Sequence, residues 1–169
     1  MIQDTFFKGL FVFFAAFLIL FTLVPFLYPA ETFIHLDGSP SLMDHDWSPF
    51  GAGGLLYALG DLLCHQETAR SFVFNGNQMP VCIRDIGLLT GLVAGLFSCV
   101  LLKEKLSDKR YLIVGFVLLL LTLAEWCIEN MTRADPQALR FAIAIVSGIG
   151  AAWIIGFAVY RRAGREALR

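Results

Sequence analysis

Four stretches of this chain, Gly9–Ala30, Ile86–Leu102, Tyr111–Ala124 and Phe141–Tyr160, contain no charged residue at all. A helix crosses the hydrocarbon layer of a bilayer with about 20 predominantly apolar residues, and there every backbone polar group must be satisfied within the segment. The second and third stretches fall short of that length and must recruit flanking polar residues, with tilt and snorkelling side chains adjusting the fit. A content of 57% hydrophobic against 16% charged residues excludes an ordinary soluble domain. The chain therefore reads as an all-α membrane protein, a single membrane domain over 1–169. Its four transmembrane helices are expected at about 7–28, 85–103, 111–128 and 138–160.

The charges set an orientation. Lys103, Lys105, Lys109 and Arg110 crowd one loop, and Arg161, Arg162, Arg165 and Arg169 crowd the C-terminal tail, whereas the loop around Arg133 is short and mixed. The positive-inside rule puts both basic clusters and both termini in the cytoplasm, and the segment 31–84 on the outer side of the cell membrane. The first run is longer than the apolar core of a signal peptide and reads as an uncleaved helix. The basic residues suit the negative inner leaflet, so membrane lipids and not nucleic acid are the expected partners.

Small residues recur on single helical faces: Gly87, Gly91 and Gly95 on the second span, and Ala144, Gly148, Ala152 and Gly156 on the fourth. Such stripes let backbones approach closely in lipid, where packing drives association. These two helices are expected to pack together or to seat another membrane subunit.

Most of the reactive side chains lie outside the spans. Asp37–Gly–Ser–Pro40 and Ser48–Pro49 are turn signals, and the apolar stretch 50–65 has helical spacing but is too short to span. It reads as an interfacial or re-entrant helix that buries Leu55, Leu59, Leu62 and Leu63 against the bundle or lipid. On it Asp61 would stand one turn from His65 and orient the ring. Asn75–Gly–Asn77 is the turn of a small hairpin with Cys82 on its return arm, and Pro80 delays the second span to about Arg84 or Asp85.

Cys64, His65, Cys82 and Asp85 are ligand types that zinc accepts, and Cys82 and Asp85 are spaced to bind from one turn. His35, His45 and Cys127 are possible extra ligands. Cys64 and Cys82 can instead form a disulfide on an oxidising face. Arg70, Arg84 and Arg140 are candidates for an anion or lipid headgroup. With a metal-activated water they would permit a lipid- or phosphate-acting enzyme, for which His65, Asp85 and Glu125 are the catalytic candidates. Cys99 reads as a packed apolar residue. The chain has no Gly-rich phosphate loop, no His-Glu-x-x-His helix and no Gly-x-Ser-x-Gly elbow.

Leu62–Leu–Cys–His–Gln66, Arg70–Ser–Phe72 and Gln78–Met–Pro–Val–Cys–Ile–Arg84, followed by Gly87 and Gly91, resemble the motif of a small prokaryotic membrane-protein family, domain of unknown function 2085. Leu56–Tyr57 and Ala138–Leu–Arg140 leading into Gly148 fit the same pattern. The resemblance implies a multi-span fold and a candidate site, without a reaction. The family pattern usually reads Cys-x-Arg-Cys where this chain has Cys82–Ile–Arg–Asp85. That exchange removes a Cys-x-x-Cys dithiol and favours a harder metal or a more open zinc site. A metal-binding membrane protein is thus the leading expectation, ahead of a small disulfide-stabilised subunit of a larger complex.

Overall fold

The computed structural model describes residues 2–39, 42–103, 105–132 and 136–166. Pro40 and Arg133 lie outside the described residues, as do the side chains of Arg162 and Arg165 and the whole of Arg169. The order is α1 (Ile2–Leu23), α2 (Gly51–Leu63), β1 (Val73–Phe74), β2 (Asn77–Gln78), α3 (Ile83–Leu101), α4 (Lys109–Thr132) and α5 (Gln137–Glu166). Four segments are long and apolar enough to cross a membrane: Gln3–Leu27, Ile83–Leu101, Lys109–Thr132 and Gln137–Arg161.

Each helix end has a local cause. Pro25 lacks an amide proton, and the chain tightens from α1 into a 3₁₀ turn over Val24–Leu27. The first regular bond of α3 runs from the Ile86 amide to the Cys82 carbonyl at 3.1 Å, so this span starts slightly earlier than Pro80 alone suggested. At its far end α4 continues to Thr132 because its acidic residues are paired. Arg140, 2% exposed, places Nη2 2.7 Å from Glu129 Oε1 and Nε 3.6 Å from Glu125 Oε1. An ionised side chain is tolerated at such a place only when it is partnered in this way.

The chain groups into two compact units, one of Met1–Ala15 with Gly87–Arg169 and one of Ala16–Ile86. In the first, α3 packs on α5 through the small-residue stripes. A β-carbon on Gly91 would lie 1.9 Å from the Ile145 carbonyl oxygen, so only glycine permits this approach. Gly87 sits on Ala144, and Gly95 on Ala152. Gly115 and Gly150 make the corresponding close crossing of α4 and α5, which has no stripe to announce it. Ser147 reinforces that crossing by donating to the Leu118 carbonyl at 2.6 Å, with Thr122 Oγ1 2.6 Å from its own oxygen. At one end of this unit Lys103 Nζ meets Asp4 Oδ2 at 3.3 Å and Phe7 stacks on Tyr160 at 5.2 Å, so the N-terminus, the α3–α4 loop and the end of α5 come together.

The second unit has an aromatic core. Phe33 stacks on Tyr57 at 3.9 Å and Trp47 on Tyr57 at 5.4 Å, with Val24, Leu36 and Ala58 around them. The expected hairpin is present, β1 pairing antiparallel with β2 across Asn75 and Gly76, both at positive φ. Helix α2 is the expected short helix, with Leu59 half-buried. Leu55, Leu62 and Leu63 are exposed, while Gly53, Gly54, Tyr57, Ala58, Gly60 and Asp61 form the buried face. The glycines let the backbone approach its neighbours, and the leucines are left pointing outward.

Gly91→Ala should lower stability by about 1–3 kcal/mol, because the added methyl must push two helix backbones apart. Leu120→Ala, at a position 57% exposed, should stay within about 0.5 kcal/mol. Thermal unfolding of the detergent-solubilised protein distinguishes the two.

Candidate metal centre

The centre arises where two parts of the second unit are locked together by glutamines. After α2 ends, Cys64 is extended, and Gln66 adopts a positive φ that turns its fully buried side chain back into the unit. Gln66 Nε2 donates to the Pro80 carbonyl at 2.8 Å and to the Tyr57 carbonyl at 3.2 Å. Gln78 reciprocates, its Nε2 donating to the Gln66 carbonyl and its Oε1 accepting from Thr68 Oγ1 at 3.0 Å. Tyr57 donates its hydroxyl to the Gln78 carbonyl at 2.6 Å. A β-carbon on Gly60 would lie 2.0 Å from the Pro80 oxygen, so glycine is needed where α2 meets the segment after β2.

Fixing Pro80 against α2 sets Cys82 beside Cys64. The Cys82 amide donates to Cys64 Sγ at 3.3 Å, and Cys82 Sγ lies 3.1 Å from Asp85 Oδ2. Asp85 is in the first turn of α3, a favourable place for a carboxylate at a helix N-terminus. One ligand atom from each of Cys64, Cys82 and Asp85 lies within 4.8 Å of the other two. Cys64 is buried, and Cys82 and Asp85 are half-buried. The sulfurs are 3.5 Å apart and both thiols are free.

The thiols are not equivalent. A hydrogen bond from Cys64 stabilises the Cys82 thiolate and lowers the Cys82 pKa, outweighing burial and the Asp85 charge. The same bond, followed by burial and the Asp85 charge, raises that of Cys64. Cys82 is therefore the more readily deprotonated of the two thiols and the readier nucleophile.

The remaining candidates lie elsewhere. His65 is exposed, and its carbonyl accepts from the Gly38 amide at 2.8 Å. The expected Asp61–His65 arrangement is not formed, because α2 stops at Leu63 and the helical spacing is lost before residue 65. Asp61, fully buried, instead accepts from Trp47 Nε1 at 2.8 Å and sits 3.4 Å from His45 Nδ1. His35 is exposed in a loop at positive φ. Arg70 pairs with Glu67 at 3.2 Å, and Arg84 occupies the first turn of α3. Cys127 is exposed on α4, while Glu125 and Arg140 pair in the first unit. Sequence reasoning missed the structural role of Gln66 and Gln78, although both lie within the motif.

A family model described as a predicted membrane protein, DUF2085, matches residues 64–154, more than half of the chain. The chain belongs to the DUF2085 family. An uncharacterised protein of Methanocaldococcus jannaschii is 31% identical over 102 residues, covering 55% of this chain and 61% of that protein. An uncharacterised protein of Methanothermobacter thermautotrophicus is 32% identical over 95 residues, covering 53% of this chain and 81% of that protein. No solved structure matches. The DUF2085 match begins at Cys64 and includes Cys82, Asp85 and the α3–α5 packing residues.

In metal-free, reduced protein, iodoacetamide should modify Cys82 at least about tenfold faster than Cys64, as lower pKa and greater access both favour it. Gly60→Ala should narrow that ratio by separating the two parts of the site. Peptide mass mapping over time measures both rates.

Proposed function

We propose that this is a metal-binding integral membrane protein in which Cys64, Cys82 and Asp85 hold a zinc ion, on the outer side of the cell membrane with both termini in the cytoplasm. The observation that carries the reading is the convergence of three ligand atoms within 4.8 Å. Two thiolates and a carboxylate are zinc ligands, and three protein ligands leave a fourth tetrahedral position to water or an exchangeable group. With the ion bound, the hydrogen bond from the Cys82 amide would stabilise a thiolate at Cys64.

A second reading is a small structural subunit in which Cys64 and Cys82 are oxidised to a disulfide; their sulfurs are neighbours at 3.5 Å but are not at the S–S bond distance of about 2.05 Å. The test is elemental analysis of protein purified without chelators, with intact mass before and after alkylation. One equivalent of zinc with alkylatable thiols supports the centre. Absence of metal, with Cys64 and Cys82 reacting only after reduction, gives the disulfide reading instead.

Asp85→Ala should weaken zinc binding by about 100-fold, since loss of a ligand costs at least as much as loss of a partner that orients one. Binding must displace the proton that the raised pKa retains on Cys64. Affinity should therefore fall about tenfold per unit of decreasing pH for each proton released, measured by chelator competition. For orientation, Leu42→Cys should label from outside the cell and Ser107→Cys only after permeabilisation; the opposite pattern overturns the assigned sidedness.

A further inference from the structure

A cavity of about 490 Å³ opens in the first unit at the start of α4, lined by Lys105, Asp108, Arg110, Tyr111, Val114 and Trp153. We infer that it is a binding site for an anionic glycerophospholipid, with Lys105 and Arg110 holding the phosphate and Tyr111, Trp153 and Val114 the glycerol and upper acyl region. Its size is that of a small-molecule site.

The lining carries two cations and one carboxylate. Asp108 accepts from the Arg110 amide at 3.0 Å and lies 3.8 Å from the exposed Nε, and with Lys105 the lining is net positive. A guanidinium and an ammonium together match a phosphodiester in charge and hydrogen bonding. The inner wall is apolar and ordered. Trp153 donates Nε1 to Ser98 Oγ at 2.9 Å, and Tyr111 packs edge-on against its ring at 5.3 Å.

A free phosphate would need only the mouth. From Val114 an exposed apolar row continues along α4 through Val117 and Leu121, at 41%, 51% and 41% exposure, spaced to lie on one helix face. The cavity thus passes from a cationic mouth through an aromatic collar to a surface suited to an acyl chain. That sequence of environments is an amphiphile's. Basic pockets between membrane helices recognise anionic headgroups by this combination of charge and apolar wall.

The probe is phosphatidylglycerol in nanodiscs of phosphatidylcholine, read by native mass spectrometry as lipid retained on the released protein. Preferential retention of phosphatidylglycerol is expected, and the K105E/R110E variant should weaken it by about tenfold or more. Val114→Trp, which leaves both cations in place and fills the apolar end, should also weaken it. Lys8→Glu, a charge reversal half that size on exposed α1 surface outside the cavity, should not. Equal retention in K105E/R110E and the unmodified protein overturns the proposal, as does equal weakening by Lys8→Glu. Displacement of the lipid by millimolar inorganic phosphate, with Val114→Trp having no effect, would assign the cavity to free phosphate instead.

Discussion

The side chain of Gln66 bridges the carbonyls of Tyr57 and Pro80, and the geometry around Cys64 and Cys82 depends on that bridge. A buried amide left without partners would cost about 1–3 kcal/mol, so the glutamine's amide nitrogen is satisfied inside the unit only while α2 and the segment at Pro80 are held together. Gly60 removes the one β-carbon that would keep them apart. The two cysteines, 18 residues apart in the chain, meet as a consequence of this lock and not of any attraction between them. Gln78 closes the same circuit from the other side, and the stacked Phe33, Tyr57 and Trp47 rings supply the apolar surface on which it rests.

The membrane-spanning helices follow a different rule. Lipid tails are as apolar as leucine, so burying leucine between helices gains little, and contact between backbones becomes the source of stability. This is why α3 meets α5 through glycine and alanine while Leu120 and Leu123 of α4 remain at the surface. Among the described residues, polar side chains enter the packing in hydrogen-bonded or ion-paired sets such as Ser147 with Thr122 and Leu118, and Arg140 with Glu125 and Glu129.

The spans were legible because the bilayer imposes a length and a polarity that a linear chain displays directly, and the α3 and α5 stripes because both repeat every four residues. The Gly115–Gly150 crossing was hidden, since one glycine on each helix forms no repeat. Cys64, Cys82 and Asp85 could be named from ligand chemistry, whereas the position of His65 could not. Its place depends on where α2 stops, and no proline or glycine marks Leu63 as the last helical residue. The same uncertainty concealed Asp61, whose partners Trp47 and His45 come from a loop without periodic pattern. Gln66 and Gln78 stood in the motif without a role, because burial, which makes them scaffold, cannot be read from a polar residue in a loop.

Asp85 shows how fold and chemistry are joined at this centre. Cys82 supplies the carbonyl that begins α3, and Asp85 stands in the first turn, where unpaired amides favour negative charge. Asp85 supplies a third group that could ligate a metal without adding a third thiol. The remaining obstacle is the Cys64 proton, which its bond to Cys82, burial and the Asp85 charge all retain. A divalent cation between the three groups would reverse the sign of the local field, so the arrangement that disfavours a second thiolate in the free protein favours it once the ion is bound.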